Sequence, residues 1–283
     1  MKTLTGPAIT LALTCVFLWV LVRLFEPRLA FFPTGGEQMT PRDHGLAFTP
    51  IDVQTSDGER LRAWWIPRDR PLANVVFFHG NGGNLSLWSP VFAELHRHGY
   101  AVLAWDYRGY GSSTGRPGER GLYRDADAIV GLVGQRALDR AGVPLLYWGR
   151  SLGAAIAAYA ASIRAPAGVV LEAGFPSARA LFEGQPLMRL LSLFSSYRFP
   201  TASWMSSVRV PALVIHGAAD SVIPFRMGER LYRDLPGPKR FHAIPEGDHN
   251  DLSPRDGEAY WAAVRAFVAD LPARGPGGPG MVD

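Results

Sequence analysis

A serine stands between two glycines at residues 149–153, where the sequence reads GRSLG. The preceding PLLYWG predicts a buried strand, and the following SLGAAIAAYAASI predicts a helix that begins with small residues. A sharp strand-to-helix turn projects its middle residue into the open, and small neighbours let the two backbones approach. Ser151 is therefore a candidate nucleophile for acyl transfer. The alternative is an ordinary glycine-rich turn, so the interpretation depends on partner residues elsewhere.

A serine hydroxyl needs a base that takes its proton. Of the seven histidines, His249 follows the last predicted strand, in the polar loop PEGDHND before the final predicted helix. His79 and His216 lie at the ends of predicted strands, where they can form hydrogen bonds with neighbouring backbone groups. We predict that His249 is the general base, because it lies beyond a strand end and follows Ser151 in the order serine, acid, histidine.

The third member of such a site is a carboxylate that orients the imidazole. Asp220 follows the predicted strand PALVIHG and is the favoured residue. Glu172, at the end of the predicted strand GVVLEAG, is the alternative, one strand earlier. Asp248 and Asp251, beside the histidine, are predicted to shape its loop.

The oxyanion of acyl transfer needs two N–H donors. We predict that Leu152, directly after the serine, supplies one, and that Asn81 supplies the other from the NGGN turn that follows NVVFFHG. A glycine-rich turn can also bind phosphate, but neither G-x-x-x-x-G-K-[ST] nor G-x-G-x-x-G occurs here.

The elements around these residues alternate between short apolar strands and amphipathic helices from residue 73 to residue 271. Before them, FTPIDVQTSDGERLRAWWIPR predicts a hairpin that turns at Asp57-Gly58. This order predicts one α/β domain over residues 41–272, with a mainly parallel central sheet and helices on both faces. Residues 175–208 interrupt the alternation and are predicted to form a short cap, whose LMRLLSLF stretch lines an acyl pocket, rests near a membrane or packs on the domain.

Composition narrows the classes of partner. Lysine and arginine exceed aspartate and glutamate by 29 to 25, and the basic residues are scattered, so we expect no nucleic-acid partner. Cys15 is the single cysteine, and no Cys/His cluster indicates a metal. The oligomeric state stays open.

Residues 3–22, TLTGPAITLALTCVFLWVLV, carry no charge and are long enough to cross a bilayer as a helix. We predict an uncleaved single-pass anchor over residues 1–28, with a cleaved signal peptide as the alternative. The orientation stays open, because Lys2 lies on one side of the run and Arg23 and Arg28 on the other. Residues 273–283, rich in Gly and Pro, are predicted to be a disordered tail.

Taken together, these motifs resemble the α/β-hydrolase fold superfamily over about residues 45–272. The resemblance rests, in chain order, on FFHGNGGNLS, DYRGYGSSTGRPGERGLYRDADA, WGRSLGAA, LVIHGAADSVIPF and GDHND. With the N-terminal span, the chain looks like the membrane-anchored branch that contains many bacterial hydrolases and eukaryotic proteins grouped with lipid thioesterases. The depalmitoylating relatives carry an N-terminal cysteine cluster, whereas this chain has Cys15 alone.

The resemblance implies a Ser151-Asp220-His249 triad, ester-type substrates, no metal and no cofactor. It also implies that Asp106, Arg108, Gly109 and Gly111 organise the loop beside the nucleophile. We accordingly predict a serine hydrolase that cleaves carboxylic esters or thioesters of lipid-like or acylated substrates near a membrane. The alternatives are a serine peptidase of the same fold and a non-catalytic membrane-anchored binding protein.

Overall fold

The computed structural model describes residues 5–136 and 142–272 and is built around one twisted sheet. Eight strands of the described chain form this sheet, in the spatial order β2 (Thr49–Gln54), β3 (Arg60–Ile66), β6 (Tyr100–Trp105), β4 (Ala73–Phe78), β7 (Leu145–Arg150), β8 (Gly168–Glu172), β9 (Ala212–Gly217) and β10 (Lys239–Ile244). Two further short strands, β1 (Phe32–Pro33) and β5 (Gly82–Gly83), pair with each other in parallel. All neighbours from β6 to β10 are parallel, as the alternating sequence pattern predicts.

Helices connect the parallel strands and cover both faces of the sheet. The α-helices are α1 (Thr5–Ala30), α2 (Leu85–Arg97), α3 (Glu119–Gln135), α4 (Leu152–Ile163), α5 (Pro186–Leu191), α6 (Thr201–Met205), α7 (Phe225–Asp234), α8 (Leu252–Asp256) and α9 (Glu258–Ala269). Side chains of β4 alternate between two apolar clusters: Val76 and Phe78 pack with α3 and α4, while Val75 and Phe77 pack with α2 and α9. This architecture confirms the predicted α/β fold with a mainly parallel sheet.

The predicted hairpin forms the antiparallel edge of the sheet. Strands β2 and β3 pair with Gln54 opposite Arg60, and the chain reverses through Asp57 and Gly58. Gly58 has φ of 86°, a left-handed conformation that favours glycine. The hairpin also supplies Asp57 as an ion-pair partner of Arg108 (2.9 Å).

Helix α1 lies outside the sheet and its apolar side chains are exposed. Its segment Gly6–Ala30, with a mean hydropathy of 2.3, is long and apolar enough to cross a membrane. The hydroxyls of Thr10 and Thr14 donate to the carbonyls four residues earlier, so these two polar groups are satisfied within the helix. The helix therefore has the length and composition of the predicted anchor.

The segment between β8 and β9 contains a 3-10 turn at Ala178–Phe182, then α5 and α6. Helix α6 packs on the domain, where Thr201 and Met205 are buried, whereas α5 buries no residue. The limits of the anchor and the cap stay predictions, and the predicted tail at 273–283 lies outside the described residues.

Candidate active site

Ser151 occupies the junction between β7 and α4, with φ of 55° and ψ of −119°. This conformation is one that L-residues rarely adopt. A Cβ atom on Gly153 would lie 1.9 Å from the carbonyl oxygen of Phe78, and one on Gly149 would lie 2.2 Å from the carbonyl oxygen of Gly153. Both glycines of the motif are therefore required by close backbone contacts, and the turn is the sharp elbow that the sequence predicts.

The strain at this elbow predicts a measurable effect on stability. A residue held in such a backbone region costs about 1–3 kcal/mol. Neither Ser151→Gly nor Ser151→Ala has the hydroxyl, but only glycine relieves the strain. Its larger unfolded-state entropy offsets part of the gain, so we expect Ser151→Gly to unfold about 2–4 °C above Ser151→Ala, a difference of about 1 kcal/mol. Thermal unfolding in detergent micelles measures this, and a lower midpoint for the glycine variant would contradict it.

The structure brings the three predicted residues Ser151, Asp220 and His249 into one chain of hydrogen bonds. His249 Nε2 lies 3.0 Å from Ser151 Oγ, and His249 Nδ1 lies 2.8 Å from Asp220 Oδ2. A carboxylate accepts, so Nδ1 carries the proton and Nε2 is the atom that accepts from the serine hydroxyl. This arrangement has the contacts that a nucleophile, a general base and an orienting acid require.

The Asp220 carboxylate is held from behind by its own loop. Its Oδ1 accepts from the N–H groups of Val222 (2.9 Å) and Ile223 (2.7 Å), which leaves Oδ2 for His249. Behind it, His216 Nε2 donates to the Ile223 carbonyl (2.8 Å), and burial lowers the pKa of His216, so this imidazole is neutral at pH 7. The local bonds fix which carboxylate oxygen faces the base.

The loop that carries His249 is shaped by the adjacent acid, as the sequence predicts. Asp248 Oδ1 accepts from the N–H of Ser221 (2.8 Å), the hydroxyl of Ser221 (2.8 Å) and the N–H of His249 (2.7 Å). These hydrogen bonds, the Ser221 N–H first among them, lower the pKa of Asp248. Asp251 Oδ1 in turn accepts from the Asp248 N–H (2.7 Å).

Glu172, the alternative acid, has different partners. Its Oε2 accepts from Trp148 Nε1 (2.8 Å), and its Oε1 lies 3.6 Å from Arg150 Nε. The side chain is buried at the end of β8. The geometry thus places Asp220 rather than Glu172 on the histidine.

The two predicted amide donors, Leu152 and Asn81, belong to two backbone segments that meet at Ser151. Leu152 is the first residue of α4, and N–H groups in the first turn of a helix lack intrahelical acceptors and favour negative charge. Asn81 follows Gly80, on which a Cβ atom would lie 3.6 Å from the Ser151 Cβ. The Asn81 carbonyl accepts from the Tyr110 hydroxyl (2.9 Å), a contact that fixes the turn. Two fixed backbone turns therefore flank the serine.

The residues of the DYRGYG segment support this turn, as the resemblance implies. Asp106 Oδ1 accepts from the Leu85 N–H (2.9 Å) and lies 3.4 Å from His79 Nε2, and both side chains are buried. Arg108 pairs with Asp125 (2.8 Å) as well as with Asp57. The glycines of the segment, Gly109 and Gly111, have positive φ values of 78° and 53°.

Arg150 is a site residue that the sequence analysis missed. Its Nη2 donates to the His249 carbonyl (2.9 Å), and its guanidinium lies over the Trp88 ring, 5.4 Å from the centroid. The Arg150 side chain is buried. Its hydrogen bond to the His249 carbonyl connects the histidine loop to the end of β7, directly before the elbow. Because 99 residues separate Arg150 from His249, no local pattern indicates this contact.

Comparison with known proteins identifies the fold and the superfamily. The family model Hydrolase_4, described as "Serine aminopeptidase, S33", matches residues 69–207, which contain Asn81 and Ser151. The esterase Pf2001 of Pyrococcus furiosus superposes with a TM-score of 0.70 at 20% identity, covering 86% of this chain and 97% of that one. The chain belongs to the α/β-hydrolase superfamily. This membership supports a hydrolytic enzyme.

Similarity also extends along nearly the whole sequence of some relatives. The protein Rv2307c of Mycobacterium tuberculosis is 35% identical over 267 residues, which cover 92% of each chain. The membrane protein YNL320W of Saccharomyces cerevisiae is 31% identical, covering 82% of this α/β-hydrolase chain and 83% of its own. Both alignments are long enough to extend beyond the segment that the family model matches.

Proposed function

We propose that this α/β-hydrolase cleaves carboxylic esters or thioesters through an acyl-serine intermediate, on lipid-like or acylated substrates at a membrane. The observation that carries the proposal is the pair of hydrogen bonds made by His249, to Ser151 Oγ (3.0 Å) and to Asp220 Oδ2 (2.8 Å). The exposed apolar helix α1 supports the membrane location.

In the first half of the proposed reaction, Ser151 Oγ bonds to the substrate carbonyl carbon while its proton passes to His249 Nε2. The carbonyl π electrons move to oxygen, where the Asn81 and Leu152 N–H groups stabilise the charge. When the tetrahedral intermediate collapses, the bond to the leaving alkoxide or thiolate breaks, and His249 returns the proton to it. The product is an acyl-serine ester.

Water completes the cycle. It attacks the acyl carbon while His249 Nε2 takes one of its protons, and the second tetrahedral intermediate expels Ser151 Oγ, which regains the proton. Asp220 stabilises the imidazolium in both halves and keeps Nδ1 protonated. Ser151 and Asp220 each lie within hydrogen-bond distance of His249, the residue that takes part in every proton transfer.

A serine peptidase is the second candidate, because the matching family model is described as a serine aminopeptidase. An aminopeptidase must hold the charged amino group of its substrate, commonly with a carboxylate near the serine. Glu172, the acid on the neighbouring strand, is engaged by Trp148 and Arg150. This engagement favours ester over aminoacyl substrates.

The test combines an activity-based probe with a substrate panel. We expect a fluorophosphonate to label the wild-type protein on the peptide that contains Ser151, as located by mass spectrometry. Among p-nitrophenyl esters from acetate to palmitate, an acyl thioester and aminoacyl anilides, hydrolysis should be faster for the esters and thioester. Labelling at another residue would contradict the nucleophile, and faster cleavage of the anilides would favour the peptidase. Absence of both labelling and hydrolysis would favour the non-catalytic binding protein.

A further inference from the structure

The end of α1 contacts the turn proposed to hold the oxyanion. Asn81 Nδ2 donates to the carbonyl of Ala30, the last residue of the helix, at 2.7 Å. The next residues continue the contact, since Phe32 pairs with Gly82 and Pro33 with Gly83. The candidate active site is therefore attached directly to the end of the apolar helix.

The same helix holds the cap segment. Glu26 accepts from the N–H of Ser196 (3.1 Å), from its hydroxyl (2.7 Å) and from the hydroxyl of Ser195. The Phe31 ring packs edge-on against Tyr197, with centroids 5.3 Å apart. Charge-assisted hydrogen bonds and aromatic packing thus fix the cap relative to α1.

The position of the bilayer surface along α1 can be read from its side chains. The uncharged run ends at Arg23, whose guanidinium lies 5.7 Å from the centroid of the Trp19 ring. Tryptophan and arginine are typical of the membrane–water interface. Glu26 follows three residues later, which is about 4.5 Å along a helix. With Arg23 at the membrane–water interface, the cap segment bound to Glu26 would lie at the depth of the lipid headgroups.

Helix α5 immediately precedes this segment and presents apolar side chains to its surroundings. Leu187 is 68% exposed, Leu190 55% and Leu193 55%. Its neighbour α6 buries Met205 in the domain, so exposure is specific to α5 and not a property of the whole cap. Adjacent exposed apolar side chains of this kind mark an interaction surface. The exposed Arg189 adds a positive charge that suits anionic headgroups.

We infer that α5 and Leu193 rest in the headgroup and upper acyl region of the leaflet from which α1 emerges, with that leaflet as the partner of this surface. The site beside Ser151 then opens at the bilayer, and its substrate is an ester or thioester whose acyl chain resides in that leaflet. Removing such a chain into water costs free energy for every methylene group. A site held at the surface avoids most of that cost. The substrate part of this inference rests on the proposed function.

The depth of α5 can be measured without any activity. In full-length protein carrying Cys15→Ser, a single Leu190→Cys is labelled with nitrobenzoxadiazole and reconstituted into phosphatidylcholine–phosphatidylglycerol vesicles that contain a doxyl-labelled lipid. Ile163→Cys is the matched control, because Ile163 is 47% exposed at the far end of α4, about 18 Å along the helix from the elbow. We expect the doxyl lipid to quench the label at 190 at least threefold more than the label at 163. Equal quenching at the two positions would overturn the inference.

Kinetics then test the source of the substrate. The triple variant Leu187→Ser/Leu190→Ser/Leu193→Ser should hydrolyse a long-chain acyl ester embedded in vesicles at least tenfold more slowly than wild type. Its kcat/KM for soluble p-nitrophenyl acetate should stay within twofold, and Ile163→Ser should change neither rate. If the triple variant keeps its rate on the embedded ester, the inference is wrong although the proposed function stands. If wild type hydrolyses no ester, the proposed function is wrong, and the quenching result still decides where α5 lies.

Discussion

Replacing Ser151 by alanine is expected to lower kcat for ester hydrolysis by about four to six orders of magnitude. The alanine keeps the Cβ atom and therefore the strained elbow, but no atom remains to form the acyl-enzyme. Stopped assays on a short p-nitrophenyl ester, with active-site titration of the wild type, measure the loss. Labelling by a fluorophosphonate should disappear in the same variant.

The control for this prediction is a variant of the general base, His249→Ala. Because Ser151 and His249 act as a unit through the 3.0 Å hydrogen bond, His249→Ala should lower kcat to a similar extent. The double variant should be no slower than the slower single variant, since the mechanism is already lost. Multiplicative losses would show that the two residues act independently, and activity above one tenth of wild type in Ser151→Ala would exclude it as nucleophile.

The sequence predicted those site residues that stand next to a recognisable strand, helix or turn. The elbow lies where a six-residue buried strand meets a helix of small residues, and Asp220 and His249 follow strands in a parallel sheet. Because parallel strands end at one edge, residues far apart in the chain are expected to meet there. The fold follows from the same alternation, and the Asp57-Gly58 turn from its residue types.

Contacts between side chains that are far apart in the sequence are not indicated by any local sequence pattern. The sequence around Glu172 does not indicate that Trp148 donates a hydrogen bond to its carboxylate. The hydrogen bond from Ser196 to Glu26 likewise joins residues that are 170 positions apart. The apolar stretch around α5 has the same composition whether it is buried or exposed, so the sequence left three interpretations open. The exposure of Leu187 and Leu190 removes the one in which α5 packs on the domain.

Replacing Asp220 by asparagine is expected to lower kcat by about 10⁴-fold. The two N–H donors at Val222 and Ile223 require an oxygen at the Oδ1 position, so the new amide must turn its NH₂ group toward His249. An NH₂ donor facing Nδ1 forces the proton onto Nε2, and that tautomer cannot accept the proton of Ser151. Steady-state kinetics on the short ester, with circular dichroism as a check of folding, measure this effect.

Glu172→Gln is the matched variant, because it also exchanges a buried carboxylate for an amide at the end of a neighbouring strand. A glutamine oxygen can still accept from Trp148 Nε1. Arg150 keeps its hydrogen bond to the His249 carbonyl and its contact with the Trp88 ring. We therefore expect kcat to fall by less than about tenfold, in keeping with a side chain that acts through packing rather than proton transfer. If Glu172→Gln is the slower of the two, the acid belongs one strand earlier, and the hydrogen bond between Asp220 and His249 does not orient the base during turnover.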